Sequence, residues 1–137
     1  MSNMERKRVL FIEDEEELVR DLPPILKSKG FEVTATTDVA EALRLFAESD
    51  FDVVLTDIAM PPAPDMDGKA LAYGRETGVE VARRLHAIRT DIPIVALTVI
   101  RDQQIVSRMR KAGIRDILHK PQELQRIVET LERVTRW

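Results

Sequence analysis

Four polar clusters in this 137-residue chain carry side chains suited to handling a phosphoryl group beside a hard metal ion. Glu13-Asp14 follows the apolar run Val9 to Ile12, and Asp57 comes just after Val53-Val54-Leu55. Thr98 closes the run Ile94 to Leu97, and Lys120-Pro121 follows Asp116 to His119. Brought together, three carboxylates would repel one another and rise in pKa unless a cation lay between them. Magnesium suits such a place, since it takes hard oxygen ligands and pairs one or two carboxylates with substrate phosphate. An ionised aspartate needs no base to act as a nucleophile, so it can attack phosphorus directly and form an acyl phosphate. A lysine ammonium and a threonine hydroxyl could then neutralise charge on the transferring oxygens.

Groups so far apart in the chain act together only if a fold gathers them. Short apolar runs alternate with stretches of helical period, the pattern of a parallel sheet covered by helices on both faces. The runs at 9–12, 53–55 and 94–97 suit central strands buried on both sides, and Glu32 to Thr36 with Asp116 to His119 complete five. Helical spacing recurs five times, at Leu18, Leu22, Ile25, Leu26; at Val39, Ala42, Leu43, Phe46; and at Val81, Ala82, Leu85, Ile88. The last two sets are Ile105, Val106, Met109, Ala112 and Leu124, Ile127, Val128, Leu131, Val134. Gly30 and Gly113 mark helix C-terminal caps, and Asp38 with Glu41 marks a capping box. Pro23-Pro24 predicts a kink or break in the first helix, because each ring removes an amide donor and crowds the carbonyl four residues back. In an open parallel sheet, ligands collect outside the carboxyl ends of the strands, which is where all four clusters fall.

Composition removes several function classes. The length suits one domain. With 24 acidic and 21 basic residues and a net charge of −3, a general nucleic-acid coat is disfavoured. The absence of cysteine excludes disulfides, zinc thiolates and thiol nucleophiles. Four apolar residues at Val9 to Ile12 are too few for a signal peptide, and the stretch Ile92 to Ile100, holding Pro93 and Thr98, cannot span a bilayer. A cytoplasmic protein, with neither membrane nor nucleic acid as direct partner, is the expectation.

Taken jointly and in order, Glu13-Asp14, Asp57 with Met60-Pro61 behind it, Thr98, and Ala112-Gly113 leading to Lys120-Pro121 resemble the receiver domain of two-component response regulators. The resemblance covers nearly the whole chain. It implies a flavodoxin-like, doubly wound α/β fold: a five-stranded parallel sheet in the order 2-1-3-4-5 with five helices and a long loop after the third strand. It implies that Asp57 accepts a phosphoryl group from a sensor histidine kinase or phosphotransfer protein. Glu13, Asp14, Asp57 and the backbone carbonyl of Ala59 would hold Mg2+, and Thr98 and Lys120 would contact the phosphoryl oxygens. A cis Lys120-Pro121 bond is implied too. The face of the fourth helix, fifth strand and fifth helix would be reshaped for an unknown downstream protein, and relatives also form homodimers through it. On this reading residues 1–137 are a single receiver domain with no output domain, and the chain is a phosphoacceptor rather than an enzyme that turns over substrate.

Several positions depart from the family pattern. Ile117 stands where most receivers have an aromatic residue, which puts the usual coupled movement of threonine and ring in doubt. His119 is expected to be a surface or strand-edge histidine. Val99 is larger than the usual residue after the threonine and is expected to narrow access to the phosphoryl pocket. Ala59 and Ile100, both apolar, flank the site where relatives carry water-positioning polar groups, which predicts a slowly hydrolysing aspartyl phosphate. The glycine before the third helix is Gly78, 21 residues after Asp57 where about eight is usual, so roughly 13 residues are extra. The excess is an inserted loop of about 62–77, or lies mostly after Met66-Asp67-Gly68 if that is the family's turn. Pro61 to Thr77 holds three prolines, two glycines and the only tyrosine, and could be a lid, a partner-recognition element carrying Tyr73 and Arg75, or an ornament.

Some of these residues admit other readings. Asp65-Met66-Asp67-Gly68 fails as a calcium loop, since the first position would be Ala63 and the twelfth Gly74. Glu15, Glu16 and Glu17 suit a solvated helix start, while Arg108, Arg110 and Lys111 suit a helix C-terminus. Trp137 would cover an edge of the sheet or join an interface. A magnesium-dependent aspartyl-phosphate phosphatase wants a second aspartate where Ala59 stands. A pseudo-receiver that binds a partner without phosphorylation stays open, whereas a nucleotide-binding domain lacks its glycine-rich loop.

Overall fold

The computed structural model describes residues 6–136; Trp137 lies outside them. Five strands, β1 (Lys7–Ile12), β2 (Phe31–Thr36), β3 (Val53–Thr56), β4 (Ile94–Thr98) and β5 (Asp116–His119), alternate with five helices. These are α1 (Glu16–Ser28), α2 (Val39–Glu48), α3 (Thr77–Ile88), α4 (Gln103–Lys111) and α5 (Leu124–Val134). The strands form one parallel sheet in the order β2-β1-β3-β4-β5, the flavodoxin-like arrangement expected of the sequence. Among the described residues no helix is long and apolar enough to cross a membrane.

Strand alternation sorts the core into two layers. Val9 and Phe11 of β1, Val53 and Leu55 of β3, and Val95 and Leu97 of β4 pack with Leu22 and Leu26 of α1 and Ile127, Val128 and Leu131 of α5. Leu10, Ile12, Val54, Ile94 and Ala96 face the other way, onto Ala42 and Phe46 of α2, Val81, Ala82 and Leu85 of α3, and Ile105 and Met109 of α4. Each fully buried aliphatic side chain contributes about 1.5–3 kcal/mol. A central strand of continuous apolar sequence is therefore a strand claimed by two helical layers.

Helix α1 runs from Glu16 to Ser28 through Pro23 and Pro24, so the expected break does not occur. Pro24 is exposed and Pro23 half-buried, while Leu22 and Leu26 anchor the turns on either side in the core. Packing of that stripe outweighs two lost amide donors near the surface. At α2, Asp38 Oδ2 accepts from the Glu41 amide at 3.0 Å. The Glu41 carboxylate does not reach back to Asp38; Thr36 Oγ1 donates to it at 2.5 Å, so only half of the expected capping box forms. Gly30 and Gly113 end α1 and α4 at φ +100° and +92°, as their cap positions require.

The segment between β3 and α3 is packed against the sheet's α2–α4 side. Met60, Ala63, Met66 and Leu71 enter that core layer. Its two ends meet through bonds from Met60 N to Gly74 O at 3.0 Å and from Gly78 N to Ile58 O at 2.8 Å. Gly74 sits at φ +99°, with its Cα so near the Met60 carbonyl that a Cβ would lie 2.8 Å from that oxygen.

Candidate functional site

The site grows from the last ladder bonds of the sheet. Glu13 N donates to Thr36 O at 3.1 Å, Asp57 N to Ile12 O at 2.9 Å, and Lys120 N to Thr98 O at 2.9 Å. Each charged residue thus sits one step past its strand, with its backbone still in register with the neighbouring strand. Parallel pairing aligns these ends on one edge.

Lys120 Nζ is the centre of the cluster. It lies 2.8 Å from Glu13 Oε1, 3.1 Å from Glu15 Oε2 and 3.2 Å from Asp57 Oδ2. The Glu13 side chain is fully buried and that of Asp57 is 9% exposed, whereas Glu15 is 56% exposed. Burial pushes the Glu13 carboxyl up to about 7, with the Asp57 charge adding to the rise and Lys120 opposing it. Burial pulls Lys120 down, but its ion pair with Glu13 and the charge of Asp57 outweigh that and raise it overall. The Asp57 carboxylate is further fixed by the Ile58 amide, which donates to Oδ1 at 2.7 Å.

Glu13, Asp14 and Asp57 each offer an oxygen within 4.8 Å of the others. Asp14 is exposed, leaving the cluster open to solvent on one side. Although Glu13 Oε1 is ion-paired with Lys120, no donor among the described residues is aligned to hydrogen-bond it. A fully buried carboxylate oxygen left that way, beside two more hard oxygens, fits a magnesium ion. The Ala59 carbonyl, two residues beyond Asp57, accepts no hydrogen bond among the described residues.

Thr98 is fully buried at the end of β4, where its Oγ1 accepts from the Ile100 amide at 3.1 Å. The Lys120 ladder bond sets Thr98 beside the cluster, and among the described residues it makes no hydrogen bond to Asp57. The Lys120-Pro121 bond is cis. Val99 is 64% exposed and lines a cavity together with Glu15 and Lys120. Ile117 is half-buried against the α2–α4 core layer. His119 ends β5, the edge strand of the sheet; it is half-buried, and its Nε2 is enclosed without a partner among the described residues.

Glu15 is the member that sequence reasoning assigned to a solvated helix start. Its N–H donates to Glu13 Oε2 at 3.2 Å, a turn that brings its own carboxylate round to Lys120. Glu16 and Glu17 do lie exposed in the first turn of α1.

Comparison with known proteins agrees with this geometry. The sequence model of the response regulator receiver domain matches residues 9–132. The Mycobacterium tuberculosis sensory transduction protein RegX3 is 30% identical over 129 residues, 93% of this chain and 50% of its own length. The chain spans about half the length of the curated relatives it matches first. A CheY-like response regulator receiver domain protein of Methanospirillum hungatei superposes with a TM-score of 0.82 at 21% identity, covering 96% of this chain and 94% of its own. The non-phosphorylated HemR receiver domain of Leptospira biflexa gives 0.77 at 26% identity, with 96% of each chain covered.

Proposed function

The chain belongs to the response regulator receiver domain family, and from that premise we propose that Asp57 accepts a phosphoryl group from a sensor histidine kinase or phosphotransfer protein in a magnesium-dependent reaction. The observation that carries this reading is the 3.2 Å approach of Lys120 Nζ to Asp57 Oδ2 within a buried carboxylate cluster. An ammonium so held is positioned to pair with oxygens arriving on Asp57.

In the transfer, an Asp57 carboxylate oxygen forms a bond to phosphorus as the phosphorus–nitrogen bond of a phosphohistidine breaks, and the leaving imidazole keeps the bonding pair and takes a proton from solvent. Asp57 is restrained beforehand by the Ile58 amide and by Lys120, which limits the orientational cost of reaching the reactive geometry. Lys120, already shared with Glu13 and Glu15, can turn toward the new phosphoryl oxygens without leaving the cluster. Glu13, Asp14, Asp57 and the Ala59 carbonyl would hold magnesium, which supplies charge neutralisation on the phosphoryl oxygens when bound.

Thr98 provides the route outward. Its hydroxyl accepts the Ile100 amide, so drawing Thr98 toward the phosphoryl group releases a bond in the segment that leads to α4. The α4–β5–α5 face would then present a changed surface to a downstream protein or to a second copy of the chain. Half-buried Ile117 favours a switch that runs without a swinging aromatic ring.

The test is incubation of wild type and Asp57→Asn with magnesium and a small phosphodonor, followed by intact mass. One phosphoryl group on wild type and none on the variant supports the proposal. An unmodified wild type, with a donor that labels ordinary receivers, points instead to a pseudo-receiver.

A further inference from the structure

Each acid of the loop at 61–76 has a bonding partner within the molecule, although Asp65 and Asp67 are exposed, whereas its two cations have none among the described residues. Asp65 pairs with Arg84 of α3 at 2.9 Å. Asp67 Oδ1 accepts the amides of Lys69 and Ala70 at 3.0 and 3.4 Å. Glu76 takes both Arg108 Nε and Nη2, at 2.6 and 3.0 Å. Lys69 and Arg75 are exposed, and neither side chain makes an ion pair or hydrogen bond among the described residues. Between them in sequence, Tyr73, the only tyrosine of the chain, is 81% exposed.

The backbone that presents this ring is strained and held. Ala72 and Tyr73 sit at φ 52° and 55°, just before Gly74 at 99°. Only the glycine adopts that region without a steric cost. Bonds from Tyr73 N to Gly68 O at 2.7 Å, Ala72 N to Lys69 O at 3.1 Å and Arg75 N to Ala72 O at 3.2 Å lock the turn. Ala63, Met66 and Leu71 anchor its inner side in the core. The loop therefore tolerates strain in a fixed conformation that shows its aromatic residue to water, and strain of this kind clusters where a surface has work to do.

We propose that Lys69, Tyr73 and Arg75 form a recognition surface for a partner protein whose contact patch is acidic. Tyrosine and arginine are the residue types that most often anchor protein interfaces, and a rigid ring loses little entropy on docking. Two unpaired, exposed cations within four residues of the ring in the same turn favour carboxylates on the other side. A chain of net charge −3 lacks the broad basic field of a nucleic-acid binder. The surface uses none of the residues of the carboxylate cluster and stands independently of phosphorylation at Asp57.

The test is selection of a phage-displayed random peptide library on the wild-type protein, with enriched peptides then titrated against three variants. Tyr73→Asn removes the ring while keeping a residue that tolerates positive φ, Tyr73→Phe retains the ring, and Lys69→Glu with Arg75→Glu reverses the charge. Peptides rich in Asp and Glu that bind Tyr73→Asn at least about tenfold more weakly, bind Tyr73→Phe nearly as well as wild type, and do not bind the charge reversal support the surface. Unchanged thermal melting of the variants shows that the fold is kept. No enrichment, enriched peptides without acidic character, or equal binding to all variants would overturn it. So would a labelled single-stranded oligonucleotide that binds wild type at about 0.15 M salt and is lost on charge reversal, since the surface would then serve nucleic acid.

Discussion

Gly78 stands so close to Asp57 that a Cβ on it would lie 2.5 Å from the Asp57 carbonyl oxygen and 2.6 Å from the Cα of Ile58. The glycine that opens α3 is thus a spacer that lets the helix start directly behind the proposed phosphoacceptor.

Substituting Gly78→Ala forces backbone against backbone, and the loss is expected to be about 1–3 kcal/mol. Asp57 must shift with it, so phosphoryl acceptance from a small donor should slow as well. Gly68→Ala is the control, because nothing lies within 4 Å of a Cβ there. Urea denaturation and intact mass against time would measure both effects; equal behaviour of the two variants would show that the close approach does not matter.

Glu13 links the carboxylate cluster to pH. Its folded-state pKa of about 7 lies above the ordinary value of 4.5, so between these values the folded protein holds a proton that the unfolded chain has released. This contribution to stability is fully present below about 4.5 and lost as pH rises through 7. In the presence of a chelator, wild type should therefore lose Tm relative to Glu13→Gln as pH is raised across that window. A difference that stays flat with pH would contradict the buried-carboxylate assignment.

An aspartyl phosphate formed here should be long-lived. Ala59 is half-buried and Ile100 is 5% exposed, and neither can orient an attacking water. Purified phosphorylated protein is expected to lose its label slowly, and Ala59→Asn to lose it several-fold faster. Rapid loss from wild type would refute this.

The Glu76–Arg108 pair fastens the 61–76 loop to α4. Arg108 is 43% exposed and Glu76 13%, so solvent screening limits the coupling to about 1 kcal/mol or less. Arg108→Gln alone should cost more than the double variant with Glu76→Gln, since it leaves a mostly buried carboxylate unpaired. Hydrogen exchange at Ala72–Glu76 should rise in both. A double-mutant cycle reports the coupling directly.

Much of this molecule was legible because its central strands are marked twice, by continuous apolar sequence and by a polar residue just past each end. Glu13 and Asp57 stand out that way, Lys120 follows the weaker, edge-strand pattern Asp116 to His119, and the fold brings Asp57 and Lys120 to 3.2 Å. Glu15 was missed because its carboxylate reaches Lys120 only through the turn made by its own amide on Glu13, a local geometry with no sequence period. Pro23-Pro24 do not break the helix, because a rule about lost amide donors says nothing of the stripe that Leu22 and Leu26 bury. The 61–76 segment showed no period because its apolar residues, Ala63, Met66 and Leu71, are anchors spaced by turns.

The three ladder bonds that end at Glu13, Asp57 and Lys120 have one more consequence. The charges that would handle phosphate are mounted on the sheet, and their separations are set by strand spacing and register. The helices and the loop can change their outer faces without altering those separations. Chemistry and address are thereby heritable apart: drift on the helical surface can retarget the protein while the bond-making apparatus stays as it is.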